Sequence, residues 1–350
     1  MKIAVYTIAL NEESNVEQWY ESAKDADYLL IADTGSTDKT VRLAKKLGIN
    51  VIKISVKPWR FDDARNAALA FLPTDIDLCI SLDMDEVLAP GWRKALEELD
   101  DDVTQVNYKY TWSWRDPASR TQAQTVYVAN KVHARHGYRW KYLVHELPVP
   151  DRNDSHKFGY SEDFEIHHYS DVERSSQRYN EMVYQTWEEN KEDKRYWVYK
   201  YQCLLSEDVK KAQDTLFEYL KKFKNDLSNE ERAKAYRTLF LTNSVKYYRF
   251  LKKAIKLEPE IRDYYVDTAV VEFNRGHFRR ARKFAKKAMT ITTRRLEVGY
   301  QEYVWGYLMK NMLYVCNYNL KFKNRKQKLA FNPATITSSS FDLFKDTDVL

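Results

Sequence analysis

The 350-residue sequence predicts an α/β domain built on a mostly parallel, doubly wound sheet, followed by an all-helical region. Three observations carry that expectation. Apolar runs of strand length alternate with helical spacing four times within about the first hundred residues. Glycine is scarce, at 8 residues, which argues against a glycine-looped sandwich and for helices. From Asp171 onward the chain is rich in Lys, Glu, Leu, Ala and Tyr and nearly without glycine. The division expected is therefore an α/β domain over 1–170, a helical domain over 171–325 and a loose tail over 326–350.

Lys2–Ala9 reads as the first strand, and Glu13–Lys24 as a helix through Val16, Trp19, Tyr20 and Ala23. Tyr28–Ala32 is a second strand, ended by Asp33 to Asp38, where Gly35 permits a tight turn and Ser36 or Thr37 can cap a helix running to Leu47. Gly48 stops that helix, Val51–Ile54 makes a third strand, and Trp59–Asn66 opens a helix through Leu72. Leu78–Leu82 is the central strand. Beyond Asp102 an aromatic face alternates through Val106, Tyr108, Tyr110, Trp112 and Trp114, and Tyr127–Ala134, Tyr138–Val144 and Phe164–His168 read as further strands.

The chain is organised around the end of that central strand, where an apolar run breaks into Asp83, Met84, Asp85 and Glu86. Groups at the carboxyl end of a strand in an open α/β sheet sit at the crevice where ligands bind. Alternation along an extended segment would point Asp83 and Asp85 the same way, so that they can share one hard cation or split the work between cation and ligand. The competing reading is an acidic turn capping the helix that begins near Pro90. Asn11 and Asp33 also fall just after strands, on the same sheet edge.

Net charge is +6, divided as −6 over residues 1–170 and +12 over 171–350. A basic second half suits a protein partner or an anionic surface, or simply solvates helix faces; it carries no recognisable nucleic-acid reading element, so no specific nucleic acid is expected. Cys79, Cys203 and Cys316 are widely spaced and read as core thiols in a reducing compartment, which places the chain in the cytoplasm. No apolar run reaches membrane-spanning length. Lys253-Ala254 and Lys287-Ala288 stand 34 residues apart, the period of a tetratricopeptide helix pair, with Asp208–Phe223 and Gln301–Leu320 as candidate further units.

Ile8-Ala-Leu-Asn-Glu-Glu13, Ala32-Asp-Thr-Gly-Ser-Thr-Asp38, Phe61-Asp-Asp-Ala-Arg-Asn66 and Leu82-Asp-Met-Asp-Glu86 together resemble, in order and spacing, the inverting family 2 glycosyltransferases of the GT-A fold, and most closely those with a tetratricopeptide-like helical tail. The resemblance implies a Rossmann-like first domain that binds a nucleotide-diphosphate sugar, with UDP the family's commonest nucleotide, and transfers the sugar to a saccharide, glycolipid or protein acceptor. It implies that Ile8, Ala9, Leu10 and Glu12 line the nucleotide, that Asp33 holds the base or ribose, and that Arg65 contacts the nucleotide. It further implies that Asp83 touches the ribose or metal and that Asp85 ligates Mn²⁺ or Mg²⁺, with His168 as third ligand. Met84 stands where the family carries a small residue and is expected to narrow the sugar pocket. Glu146, in a His-Glu pair after an aromatic strand, is the expected base for the acceptor hydroxyl, with Glu165 and Asp163 as alternatives. His145 is expected to orient its neighbours. The competing class is a non-catalytic helical scaffold carrying a vestigial nucleotide-sugar domain.

Overall fold

The computed structural model describes residues 1–114, 116, 119–121, 123–151, 156–169, 177–293, 295, 300–306 and 308–321. The expected tail over 326–350 lies outside them. The chain divides into two compact units, Met1–Glu189 and one that begins at Asn190. The first unit takes in a helix, Gln177–Glu189, that a division at Asp171 assigns to the second.

The first unit alternates β1 (Ile3–Ala9), α1 (Val16–Ala23), β2 (Tyr28–Asp33), α2 (Thr40–Lys46), β3 (Asn50–Lys53), α3 (Phe61–Ala70) and β4 (Leu78–Ser81). It continues with β5 (Glu86–Leu88), α4 (Trp92–Glu97), β6 (Gln105–Trp114), β7 (Ala123–Ala134), β8 (Tyr138–Lys141), β9 (Leu147–Pro150), β10 (Phe158–His168) and α5 (Gln177–Glu189). The main sheet runs β3-β2-β1-β4-β7-β6-β10-β5, and β8 and β9 form a separate hairpin. β3, β2, β1 and β4 are parallel, β7 is antiparallel to both its neighbours, β10 is parallel to β6, and β5 is antiparallel to β10.

Strand alternation sets the two layers. Ile3 and Val5 of β1 join Ile31, Leu78 and Ile80 in the core under α1, while Ala4 and Tyr6 join Leu30, Ala32 and Cys79 in the core under α3. A strand buried on both faces reads as a continuous apolar run, as β1 and β4 do, whereas β3 at the sheet edge is partly exposed. Trp19 of α1 is fully buried and its indole N–H donates to the Leu82 carbonyl at 3.0 Å, so the helix holds the segment that follows β4. The strand expected over Tyr138–Val144 is shorter than the sequence suggests. β8 stops at Lys141 because Tyr142 and His145 take positive φ, 87° and 52°, and the chain turns into a loop whose Leu143 carbonyl accepts from the Phe61 amide at the start of α3.

The second unit comprises α6 (Lys194–Glu207), α7 (Val209–Lys222), α8 (Asn229–Thr242), α9 (Tyr248–Leu257), α10 (Arg262–Asn274), α11 (Phe278–Thr290) and α12 (Leu308–Lys321). Three successive pairs, α6–α7, α8–α9 and α10–α11, have first helices that begin at Lys194, Asn229 and Arg262, 35 and 33 residues apart. Ala254 and Ala288, the residues that carry the sequence period, sit at 0% exposure on the second helices of two pairs, where a methyl side chain permits close packing. α8 begins with a full capping box between Ser228 and Glu231. Among the described residues no helix is long and apolar enough to cross a membrane, and the three cysteines are free thiols.

Candidate functional site

β4 ends at Ser81, and the acidic residues after it are not extended. The Glu86 amide donates to the Asp83 carbonyl at 2.9 Å and the Asp83 amide to Glu86 Oε2 at 2.9 Å, closing a tight turn twice. The expected alternation therefore fails, because residues i and i+2 of a turn diverge. Asp83 faces inward: its two carboxylate oxygens accept from Arg65 Nη2 at 2.7 Å and from Lys131 Nζ at 2.9 Å. Burial raises its pKa, but the two cations outweigh that and hold the carboxyl below the usual range. Met84, expected in the sugar pocket, is 5% exposed and packs in the core under α1.

Asp85 goes the other way. Its Oδ2 lies 3.2 Å from His168 Nε2, and its carbonyl accepts from the Tyr169 amide at 2.7 Å. His168 Nδ1 donates to the Trp112 carbonyl at 2.9 Å, and the ring stacks on Trp112 with centroids 4.3 Å apart. Burial lowers the imidazole pKa, yet the Asp85 hydrogen bond and charge overcome this and raise it. With Nδ1 committed to a carbonyl, the lone pair of the neutral ring is on Nε2, beside the aspartate. Among the described residues no group of three or more His, Cys, Asp or Glu side chains converges on one point. Asp83 is thus engaged by two cations, while Asp85 and His168 face each other as a pair. Asp85 and His168, one carboxylate oxygen and one imidazole nitrogen, are the residues here that would hold a divalent cation.

Arg65 does not present its guanidinium to solvent. At 5% exposure it donates from Nε to Glu146 Oε1 at 2.5 Å, from Nη1 to Ser81 Oγ at 2.8 Å and from Nη2 to Asp83, and it lies 5.1 Å over the Trp140 ring. The guanidinium forms a fork that spaces Glu146 from Asp83. Its α3 neighbour Asn66 pins Trp140 by exchanging two backbone hydrogen bonds with it, 2.9 and 2.8 Å. Glu146 is held in this fork by the loop between β8 and β9, while His145 in the same loop meets the Tyr179 hydroxyl at 3.2 Å. Of the alternative bases, Glu165 is bonded by His167, Lys109 and Thr111, which overcome its burial and bring its pKa down to about 2. Asp163 is exposed.

Sequence reasoning missed Lys131. Its Nζ bridges Asp83 and Glu86, the latter at 2.5 Å, and Tyr110 donates its hydroxyl to the same Glu86 oxygen. β7 mixes polar and apolar residues, with Asn130 directly before Lys131, so nothing in the strand singles this lysine out.

The carboxyl ends of β2, β1 and β4 lie side by side, with Ala9 in register with Asp33 and Tyr6 with Ser81. A cavity of ≈ 450 Å³ opens there, lined by Ile8, Ala9, Leu10, Glu12, Thr34, Trp59, Phe61, Tyr179 and Met182. The four residues expected to line a nucleotide are thus brought together, with Trp59 and Phe61 edge to face at 5.3 Å. Asn11 takes φ 56° so that its amide and side chain clasp Ser36 and Thr37. Asp33, 1% exposed, accepts from the Gly35 and Ser36 amides and so builds the turn beside the cavity.

Residues 4–175 match glycosyl transferase family 2. An uncharacterized glycosyltransferase of Rickettsia bellii is 33% identical over 97 residues, 27% of this chain and 32% of that one. Another, of Rickettsia typhi, is 31% identical over 106 residues, 30% and 32% of the two chains. The chain therefore spans about a third of the length of these relatives. Glucosyl-3-phosphoglycerate synthase from Mycobacterium tuberculosis, solved with Mn²⁺, uridine-diphosphate and glucosyl-3-phosphoglycerate, is similar over 31% of this chain and 44% of that one, at 26% identity and a TM-score of 0.28. Four ordered motifs, the sheet they terminate and the matching profile agree: the first half of this chain is a family 2 glycosyltransferase domain.

Proposed function

We propose that the chain transfers a sugar, with inversion, from a nucleotide diphosphate, UDP by the family's preference, to a hydroxyl of a saccharide, glycolipid or protein. The observation that carries this reading is the cavity at the carboxyl ends of β1 and β2, on the sheet edge where the neighbouring strand β4 ends in the acidic turn. Ile8 to Leu10 offer backbone and apolar contact to a base, and Trp59 and Phe61 offer aromatic faces. Asp85 and His168 would hold the divalent cation, which when bound offsets charge on the diphosphate.

Glu146 takes the proton of the acceptor hydroxyl as its oxygen bonds to the anomeric carbon; the bond from that carbon to the diphosphate oxygen breaks and its electron pair leaves with the diphosphate. Arg65 orients Glu146 through the Nε hydrogen bond, and Lys131 fixes the acidic turn from behind. The helix pairs of the second unit, begun 35 and 33 residues apart, support reading it as a tetratricopeptide-like array.

The test is calorimetric titration of UDP, with and without Mn²⁺, into the wild type and Asp85→Asn, with GDP and dTDP as controls. Metal-dependent UDP binding that the variant loses supports the site; a folded wild type that binds no nucleotide refutes it. Glu146→Gln should keep donor binding and lose transfer, and normal turnover by that variant would remove Glu146 from the mechanism.

A further inference from the structure

The cations of the second unit fall into two kinds. On α7, three of the four lysines, Lys210, Lys211 and Lys222, each have a carboxylate within ion-pair distance, Asp214, Asp208 and Glu192. On α9, Arg249, Lys252, Lys253 and Lys256 are all exposed, and among the described residues no carboxylate lies within 4.0 Å of any of them. The same holds on α11 for Arg279, Lys283, Lys286 and Lys287. Neither helix contains an acidic residue. Spacings of three, four and seven put each set on one helical face, opposite the buried Leu251 and Ala254 or Ala281, Ala285 and Ala288.

The two faces are joined at their N-terminal ends. Glu272 of α10, 2% exposed, accepts from the Tyr248 hydroxyl at the start of α9 at 2.6 Å and contacts His277, just before α11, at 2.9 Å. Arg275 covers the Tyr248 ring at 4.6 Å. One buried carboxylate of α10 thus ties the N-terminal ends of both cationic helices together. Two of the ammonium groups sit near aromatic rings, Lys252 Nζ 5.0 Å from the centre of Tyr248 and Lys253 Nζ 5.1 Å from that of Phe250, while Val245 and Phe217 stand beside the start of α9 at 56% and 38% exposure.

We propose that this α9–α11 face docks the protein on an anionic lipid bilayer. Helix faces carrying mostly lysine give a diffuse positive field without a bidentate fork or a cleft, which fits a fluid layer of headgroups better than one defined phosphate. The exposed Val245 and Phe217 add apolar contact at the same edge, where a bilayer offers somewhere to insert and a soluble polyanion does not. Intramolecular pairing would serve a merely solvated face better, as it does on α7.

The experiment is sedimentation of the full chain with vesicles of phosphatidylglycerol and phosphatidylcholine, against pure phosphatidylcholine, from 50 to 500 mM salt. A lysine or arginine near an anionic surface contributes roughly fivefold to partitioning. Lys252→Gln, Lys253→Gln and Lys286→Gln together should therefore weaken binding to anionic vesicles by about a hundredfold, whereas Lys210→Gln, Lys211→Gln and Lys222→Gln, which remove the same charge, should change it only a few fold. Wild-type binding should fall with salt and be absent on neutral vesicles. Equal loss in the two triple variants, binding to soluble polyphosphate without binding to vesicles, or no vesicle binding at low salt each overturns the proposal. Because nucleotide titration reads a different unit, failure here leaves the donor site standing, and the reverse.

Discussion

Replacing Lys131 by Met tests whether the acidic turn is held from behind by one buried cation. The ammonium contacts Asp83 at 2.9 Å and Glu86 at 2.5 Å, with Glu86 at 2% side-chain exposure and Asp83 at 32%. Removing one member of a buried ionic group costs about 3–5 kcal/mol, because the partner charge stays desolvated. The lower end, about 3 kcal/mol at pH 7, is expected here, since solvent reaches Asp83 and since burial already raises the Glu86 pKa in the folded state. The variant can relieve the cost by binding a proton at Glu86. A group whose folded pKa is raised stabilises the fold below that pKa, so the deficit relative to wild type should shrink as pH falls from 7 toward 5. Urea unfolding of both proteins at the two pH values measures this, and Lys131→Met with Glu86→Gln should recover much of the loss. A deficit under about 1 kcal/mol at pH 7, or one that does not shrink at pH 5, would refute the reasoning.

Glu165, held at a pKa of about 2 against an ordinary 4.5, contributes stability that is present above 4.5 and lost as pH falls toward 2. Glu165→Gln should accordingly flatten acid unfolding in that window, by at most about 3 kcal/mol. Trp19→Phe keeps the ring but removes the 3.0 Å bond to the Leu82 carbonyl, and should cost about 1 kcal/mol in urea unfolding. Arg65→Lys keeps the charge but cannot reach Glu146, Ser81 and Asp83 together, and should lower transfer more than donor binding when kcat and KM are measured separately.

The architecture was legible because its strands are buried on both faces. Ile3–Ala9 and Leu78–Ser81 read as apolar runs, and the polar groups that end them mark one sheet edge. The nucleotide-lining expectation at Ile8, Ala9, Leu10 and Glu12 found a cavity for the same reason. The orientation of individual polar side chains was not legible. Arg65 looked like a ligand contact, yet its partners Ser81, Asp83 and Glu146 lie 16, 18 and 81 residues away, and only the fold brings them to one guanidinium. Lys131 was invisible because a lysine in a strand reads as solvent-facing, whereas here two carboxylates and the Tyr110 ring replace water. The family resemblance placed Met84 at the sugar pocket, whereas the turn after β4 lays its side chain into the core under α1.

That turn assigns the two aspartates opposite work, and the assignment can be measured. Asp83 bonds Arg65 and Lys131, each nearly or largely buried, so Asp83→Asn removes the charge that both cations were set against. Its amide can still accept one hydrogen bond, but its N–H₂ must then face a cation, and a loss of about 2–4 kcal/mol in unfolding free energy is expected. Asp85 is 36% exposed and contacts only the His168 imidazole through its side chain among the described residues, so Asp85→Asn should change stability by less than about 1 kcal/mol. Donor binding should follow the other order, with Asp85→Asn abolishing metal-dependent UDP binding and Asp83→Asn weakening it in proportion to the fold's loss of order. Measuring both quantities on both variants separates this division from a shared pincer. If the two substitutions cost the same in metal-dependent binding and neither alters stability, Asp83 and Asp85 hold one cation together and the turn reorganises when the donor enters.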